Sequence, residues 1–176
     1  MTVIWSRSVF VIRRAKHEDA RQIISAHVRS IREVCSKDYT KTQIDAWSGR
    51  NFREDIWRKT IDRDFVWVIE LKEKVLGFGH VRLKGDFQAT IEGLYFSPEA
   101  IGVGLGHELM TKIFDVFSVN QIENADLVST ITAKGFYLGM GFTEICETVV
   151  QFDEIPVQCV EMQRSGPFLL RARSRL

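Results

Sequence analysis

The segment Phe96-Ser97-Pro98-Glu99-Ala100-Ile101-Gly102-Val103-Gly104-Leu105-Gly106-His107-Glu108-Leu109 constrains this chain more than any other. A β-branched and aromatic run ends at Phe96, and a Ser-Pro turn follows it. Three glycines at alternate positions then lead into Leu105, Leu109, Ile113 and Val116 at helical spacing. Glycine takes positive φ at no steric cost and lets a ligand come close to the backbone. The N–H groups of the loop and first helical turn converge on one place. With the helix dipole they make an anion site suited to phosphate or pyrophosphate.

The pattern around this unit is that of an α/β protein. Val9 to Arg13 is a short strand signal. A helical pattern opens at Lys16-His17-Glu18-Asp19 and runs to about Cys35, with Ala20, Ile23, Ile24, His27, Ile31 and Val34 on one face. Thr40 caps a second short helix holding Ile44 and Trp47, which Ser48-Gly49 stops, and Phe52 to Ile61 is a third helical stretch. Phe65 to Glu70, Val75 to Leu83 and Ala89 to Phe96 form a meander turned at Lys72-Glu73-Lys74 and Gly85-Asp86. After the glycine loop and its helix, Ala125 to Ser129 is a short buried strand, and Thr132 to Leu138 is a helix ended by Gly139 and Gly141. Phe142 to Phe152 and Pro156 to Met162 close the chain as antiparallel strands. Antiparallel strands followed by a strand–helix–strand unit give a mixed, mostly antiparallel sheet of about seven strands flanked by helices.

Composition removes several classes. The 24 basic and 23 acidic side chains nearly cancel among 176 residues, which argues against a general nucleic-acid binder, since that needs a basic face. Twelve Phe and four Trp supply enough apolar bulk for a folded core. The cysteines, Cys35, Cys146 and Cys159, lack Cys-x-x-Cys spacing, so neither a disulfide framework nor a metal site is expected. They are expected to be buried small hydrophobes in a reducing, cytoplasmic setting. No apolar run approaches the roughly 20 residues that span a bilayer, and no leader pattern is present at residues 1–14. Residues 1–164 are expected to form one domain, and 165–176, with Arg171, Arg173 and Arg175, a basic tail.

Three phosphate-binding loops compete for the glycine segment. A P-loop needs Gly-Lys followed by Ser or Thr, whereas this chain has Gly106-His107-Glu108. A dinucleotide fingerprint needs its third glycine at position 107, which is His, and it follows the first strand of a βαβ unit rather than a meander. The third is a coenzyme A loop. Here the chain resembles the GCN5-related N-acetyltransferase family. That family's signature is Gln or Arg, two residues, Gly, one residue, then Gly or Ala; it aligns on Ile101 through Gly106, with Ile101 in place of the Gln or Arg. The second match is Phe136-Tyr137-Leu138-Gly139-Met140-Gly141-Phe142. The resemblance covers roughly Val9 to Met162.

The resemblance implies an N-acetyltransferase that moves an acetyl group from acetyl-CoA to a primary amine of a small molecule or protein, without a metal. It places acetyl-CoA in an opening between the fourth and fifth strands. The backbone of Leu94, Tyr95 and Phe96 would hold the pantetheine arm, and Gly102, Val103, Gly104, Leu105, Gly106 and His107 the pyrophosphate. Ser129 would line the opposite wall. Tyr137 matches the family's general acid. A protonated amine cannot attack a thioester, so a base is needed. Glu92 is one candidate, expected by strict alternation on the face of Thr90 and Leu94; His80, whose ordinary pKa suits the role, is the other. Arg29, Tyr39, Trp47 and Trp57 are candidates for the acceptor site, where aromatic walls and Glu92 would suit a cationic amine. His27 is expected to pack on a helix face. A homodimer through the final strands is a further expectation. The competing reading is a non-catalytic acyl-CoA sensor or interaction module of the same fold.

Overall fold

The computed structural model describes residues 10–168 of the chain. Seven strands make one sheet: β1 (Val11–Arg14), β2 (Phe65–Leu71), β3 (Lys74–Gly85), β4 (Gln88–Phe96), β5 (Asn124–Thr130), β6 (Thr143–Phe152) and β7 (Ile155–Ser165). Five helices accompany them: α1 (Ala20–Glu33), α2 (Lys41–Ser48), α3 (Glu54–Arg63), α4 (Leu105–Val119) and α5 (Ile131–Gly139). The spatial order is β1-β2-β3-β4-β5-β7-β6. Every neighbouring pair is antiparallel except β4–β5, which α4 connects as a parallel pair. The expected mixed sheet is therefore present.

Local chemistry accounts for the elements. The β2–β3 hairpin turns on Lys72 and Glu73, both at positive φ, the backbone of a two-residue turn matching strand twist. Thr40 accepts a hydrogen bond from the Gln43 N–H at 3.3 Å and caps α2, as expected. Thr130 does the same for α5, accepting from the Ala133 N–H at 3.1 Å. The unbroken apolar run of β2 reflects burial on both faces. Val66 and Val68 pack with Ile23 and Ala26 of α1, while Trp67 and Ile69 join the cluster around Leu109, Ile113, Phe114 and Phe117 of α4.

Some expectations are corrected. Helix α3 starts at Glu54 rather than Phe52, because Arg53 stays extended at φ −118° and ψ 131°. Helix α1 ends at Glu33, and Cys35–Lys37 forms a separate 3-10 turn. Cys35 and Cys159 are buried, but Cys146 is exposed on β6. Of the expected tail, Ser165 ends β7 and Phe168 is buried against Phe114 and Phe117; Arg171, Arg173 and Arg175 lie outside the described residues. Among the described residues, no helix is long and apolar enough to cross a membrane.

Strands β3 and β4 pack closely at Gly77. A Cβ there would lie 2.7 Å from the Tyr95 carbonyl oxygen and 3.3 Å from Phe96 Cα, both backbone atoms. Gly77→Ala must push β4 aside, and urea denaturation should show a loss of about 1–3 kcal/mol.

Candidate active site

The site begins with a fault in the sheet. In the β3–β4 ladder His80 faces Gly93 and Val81 faces Ile91, so Glu92 is an extra residue with no partner, a β-bulge. The bulge breaks the strict alternation expected of β4. Ala89 and Ile91 face α4, and so do Leu94 and Phe96, whereas Tyr95 packs toward α1 and α2. Glu92 therefore does not share one continuous face with Thr90 and Leu94. The β4–β5 ladder runs only from Gln88↔Asn124 to Ile91↔Leu127. Beyond it the strands diverge, and Val128 on β5 is 53% exposed.

The gap opens a cavity of about 440 Å³. Its walls bring together Glu92, Leu94, Tyr95 and Phe96 of β4, the loop residues Gly102, Gly104, Gly106 and His107, and Ser129 and Tyr137 across the gap. Gly102 and Gly104 have φ of 77° and 90°, the left-handed region, with open space where a Cβ would stand. Gly104 caps α4, so the unpaired first-turn N–H groups of α4 meet the loop here. A Cβ at Gly106 would come within 2.9 Å of the Phe136 ring, which keeps this turn bare. Leu105 turns into the core and Val103 out to solvent, so these two can contribute only backbone. The Tyr137 side chain is 4% exposed. Burial pushes its phenol far above the ordinary range, so it stays protonated.

A second cavity, of about 430 Å³, lies on the α1–α2–α3 side and shares Glu92, Gly93, Tyr95, Val128 and Thr130 with the first. Aromatic rings from distant parts of the chain wall it: Trp47, Trp57, Phe78 and Phe152. At one end His80 Nε2 lies 2.7 Å from Asp64 Oδ2. Asp64 is 5% exposed and also accepts two hydrogen bonds from Arg63, each at 2.9 Å. Burial acts to raise the Asp64 pKa, but the Arg63 and His80 hydrogen bonds and charges outweigh it and bring it to about 2. Burial lowers the His80 pKa, against the pull of Asp64. An ionised Asp64 can only accept, so the neutral imidazole carries its proton on Nε2, leaving the Nδ1 lone pair basic. Glu92 pairs with Arg82 at 3.4 Å.

The predicted residues sort into three groups. Glu92, Leu94, Tyr95, Phe96, Gly102, Gly104, Gly106, His107, Ser129 and Tyr137 line the first cavity; His80, Trp47 and Trp57 line the second. Arg29 and Tyr39 line neither. Arg29 sits on the outer side of α1 with Glu33 at 2.9 Å and Glu99 at 2.8 Å. The buried Tyr39 hydroxyl donates to the Gln158 carbonyl at 2.7 Å and accepts from the Ile131 N–H at 2.8 Å, tying α5 to β7. Neither therefore stands with the other candidates around the two cavities. Missed by the motif pattern were Asp64, Arg50, Phe78 and Phe152, none of which stands in a local signature. His27 does pack among rings, as expected, but it also lines the second cavity.

Residues 35–164 match the family described as Acetyltransferase (GNAT) domain. The chain belongs to the GNAT acetyltransferase family. Solved structures share the fold. A GCN5-related N-acetyltransferase of Rhodopseudomonas palustris, described as "Aminotransferase, Class-II", has a TM-score of 0.79 at 21% identity, covering 90% of this chain and 96% of that one. PaiA N-acetyltransferase of Thermoplasma acidophilum, solved with coenzyme A, has a TM-score of 0.70 at 16% identity, covering 90% and 99%. A ribosomal-protein-alanine N-acetyltransferase of Brucella melitensis has a TM-score of 0.68 at 15% identity, covering 88% and 99%. No curated protein sequence matches the chain.

Burial, aided by the positive charge of Arg50, lowers the His27 pKa to about 3. The unfolded chain takes up this proton near pH 6.5, the folded chain only near 3, so acid favours unfolding across that window. Stability should be full above pH 6.5 and fall toward pH 3, by up to about 1.4 kcal/mol per pH unit from His27. In urea titrations at several pH values, His27→Phe should flatten that slope.

Proposed function

We propose that this protein is an acetyl-CoA-dependent N-acetyltransferase acting on a primary amine. The observation that carries this reading is the junction of the two cavities at the β4 bulge, where Glu92 faces both. The first cavity offers the loop of Gly102, Gly104 and Gly106 and the start of α4 to the pyrophosphate. Past the bulge, β4 has no partner on β5, so its free backbone groups suit the pantetheine amides. The thioester then comes to the level of Glu92 and Tyr137, and the amine reaches it from the second cavity. Unpaired Cys35, Cys146 and Cys159 suit the reducing interior of a cell.

Glu92, directly or through one water, removes a proton from the ammonium group. The freed nitrogen lone pair forms the new C–N bond at the thioester carbon. The carbonyl becomes an oxyanion, which backbone N–H groups near Tyr95 can stabilise. Its collapse breaks the C–S bond. The thiolate takes the Tyr137 phenol proton, giving an amide and free CoA, and the phenol is reprotonated by the proton released from nitrogen. His80, oriented by Asp64, helps shape the acceptor cavity.

Isothermal titration should show acetyl-CoA binding, and Gly104→Val should weaken it at least 10-fold, since a β-branched residue resists the left-handed backbone. No binding of acetyl-CoA up to millimolar concentration would sink the reading. Thiol release across an amine panel tests the chemistry. Glu92→Gln and Tyr137→Phe should each lower kcat by roughly 10²-fold or more. His80→Gln should cost less than about 10-fold, by the same scale. Tight acetyl-CoA binding with no thiol release from any amine would point to a sensor instead.

A further inference from the structure

The acceptor cavity is lined by charged groups of both signs. Glu92 lies near His80, which is bonded to Asp64. Elsewhere in the lining, the Arg50 guanidinium stands over the Phe52 and Phe152 rings, 4.9 Å from each centroid. Arg50 follows Gly49, the C-cap of α2, and lines the cavity. Among the described residues, Arg13, Arg29, Arg53, Arg58, Arg63 and Arg82 each have a carboxylate within 4 Å. The Arg50 side chain makes no hydrogen bond or ion pair with any described residue. The rings hold one face of the guanidinium while the residue stays exposed, so its donors are open to water or to a ligand. A guanidinium presents a fork of N–H groups that matches a carboxylate in two parallel bonds.

A second, independent observation points into the same cavity. His27 is 6% exposed, and neither ring nitrogen has a hydrogen-bond partner. The ring packs against Tyr95 at 3.9 Å and Phe52 at 4.9 Å between centroids. A neutral imidazole holds one donor and one acceptor, and buried polar groups in folded proteins are nearly always bonded. A polar group of a ligand seated in this cavity would supply what the protein withholds.

Aromatic rings line the wall as well. Phe152 stacks on Trp47 at 5.7 Å, Trp47 meets Tyr95 at 6.5 Å, and Trp57 meets His80 at 6.0 Å. Ring contacts run from Arg50 through Phe152, Trp47, Tyr95, Phe78 and Trp57 to His80. From this arrangement we propose that the acceptor is a primary amine with a flat apolar body and a carboxylate at the far end from the amine. The amine lies at Glu92, the body against Trp47 and Tyr95, and the carboxylate on Arg50, with His27 as a further polar contact. This inference rests on the second cavity being the acceptor site of the acetyl transfer proposed above. Acetylation then joins the amine nitrogen to the acetyl carbon as the C–S bond breaks, CoA takes up one proton, and the carboxylate is unchanged.

The test compares 4-(aminomethyl)benzoate with benzylamine, and phenylalanine with phenethylamine, by acetyl-CoA-dependent thiol release. In the native protein kcat/KM for 4-(aminomethyl)benzoate should exceed that for benzylamine at least 10-fold. Arg50→Gln should reduce that ratio at least 10-fold, the scale of one charge-assisted hydrogen bond, and Arg50→Lys should keep part of it. Because the readout is a ratio within each variant, loss of folded protein cancels. A ratio near one in the native protein, or a ratio that Arg50→Gln does not move, overturns the proposal. So does a carboxylate preference confined to the phenylalanine pair. If acetyl-CoA binds but no amine is acetylated, the transfer reading fails. The site is then read by calorimetry: 4-(aminomethyl)benzoate should bind the CoA-saturated protein more tightly than benzylamine, and equal or absent binding overturns this proposal as well.

Discussion

Strands β4 and β5 can be parallel neighbours only for four residues each. From Gln88 to Ile91 the ladder with β5 is regular; at Glu92 an extra residue enters β4, and the two strands part. Backbone groups that would be bonded inside a sheet are left facing a gap, and water or a ligand must meet them. The first cavity is that gap, and the second opens on the opposite side of Tyr95. The packing on either side holds the strands apart. Leu94 and Phe96 are drawn toward α4, while the Tyr95 ring lies over Gly93, where a Cβ would stand 2.4 Å from the ring. The Phe96 N–H donates to Ser30 Oγ at 3.2 Å, so α1 anchors the free end of β4 as well.

Charge in this protein is managed locally. The near-neutral total conceals a buried carboxylate, Asp64, that gathers the exposed Arg63 and Arg82 side chains and His80 around it. Removing a charge from water is tolerable there because each oxygen is hydrogen-bonded and opposite charges are adjacent. The anion site of the glycine loop follows the other route, since backbone dipoles can meet a phosphate without any basic side chain. That is consistent with Ile101 standing where relatives carry Gln or Arg. Its side chain is 46% exposed beside the cavity, and the backbone N–H groups that converge on the loop do not depend on it.

Much of the lining of the first cavity was legible as local sequence. A strand, a Ser-Pro turn, alternate glycines and a helix follow one another along the chain, so their geometry is set by neighbours a few residues apart. The Phe-Tyr-x-x-x-Gly-Phe stretch is legible for the same reason. The bulge at Glu92 was not. Alternation predicts one face for Thr90, Glu92 and Leu94; Gly93, a residue that within a strand can mark a bulge, is the only hint of the extra residue, because a bulge belongs to the pairing of two strands. The second cavity was legible only in part. Trp47 and Trp57 stand out by type, yet Tyr39 and Arg29, equally plausible by type, turn to a buried hydrogen-bond bridge and to a surface ion pair.

The sequence by itself determined the α/β class, the mixed sheet, the caps of the short helices and the loop that can hold an anion. Each of these rests on spacing within one segment and on the backbone preferences of Gly, Thr and β-branched residues. Only the tertiary structure decided that Arg50, Phe152 and His80 share one cavity, with Asp64 hydrogen-bonded behind His80, and that His27 lines it with both nitrogens unpaired. His27 and Phe152, the most distant of these residues, are 125 positions apart along the chain. Their juxtaposition comes from packing α1, α2 and α3 onto a sheet whose β6 and β7 strands return from the other end of the sequence, and no local pattern encodes a contact of that range.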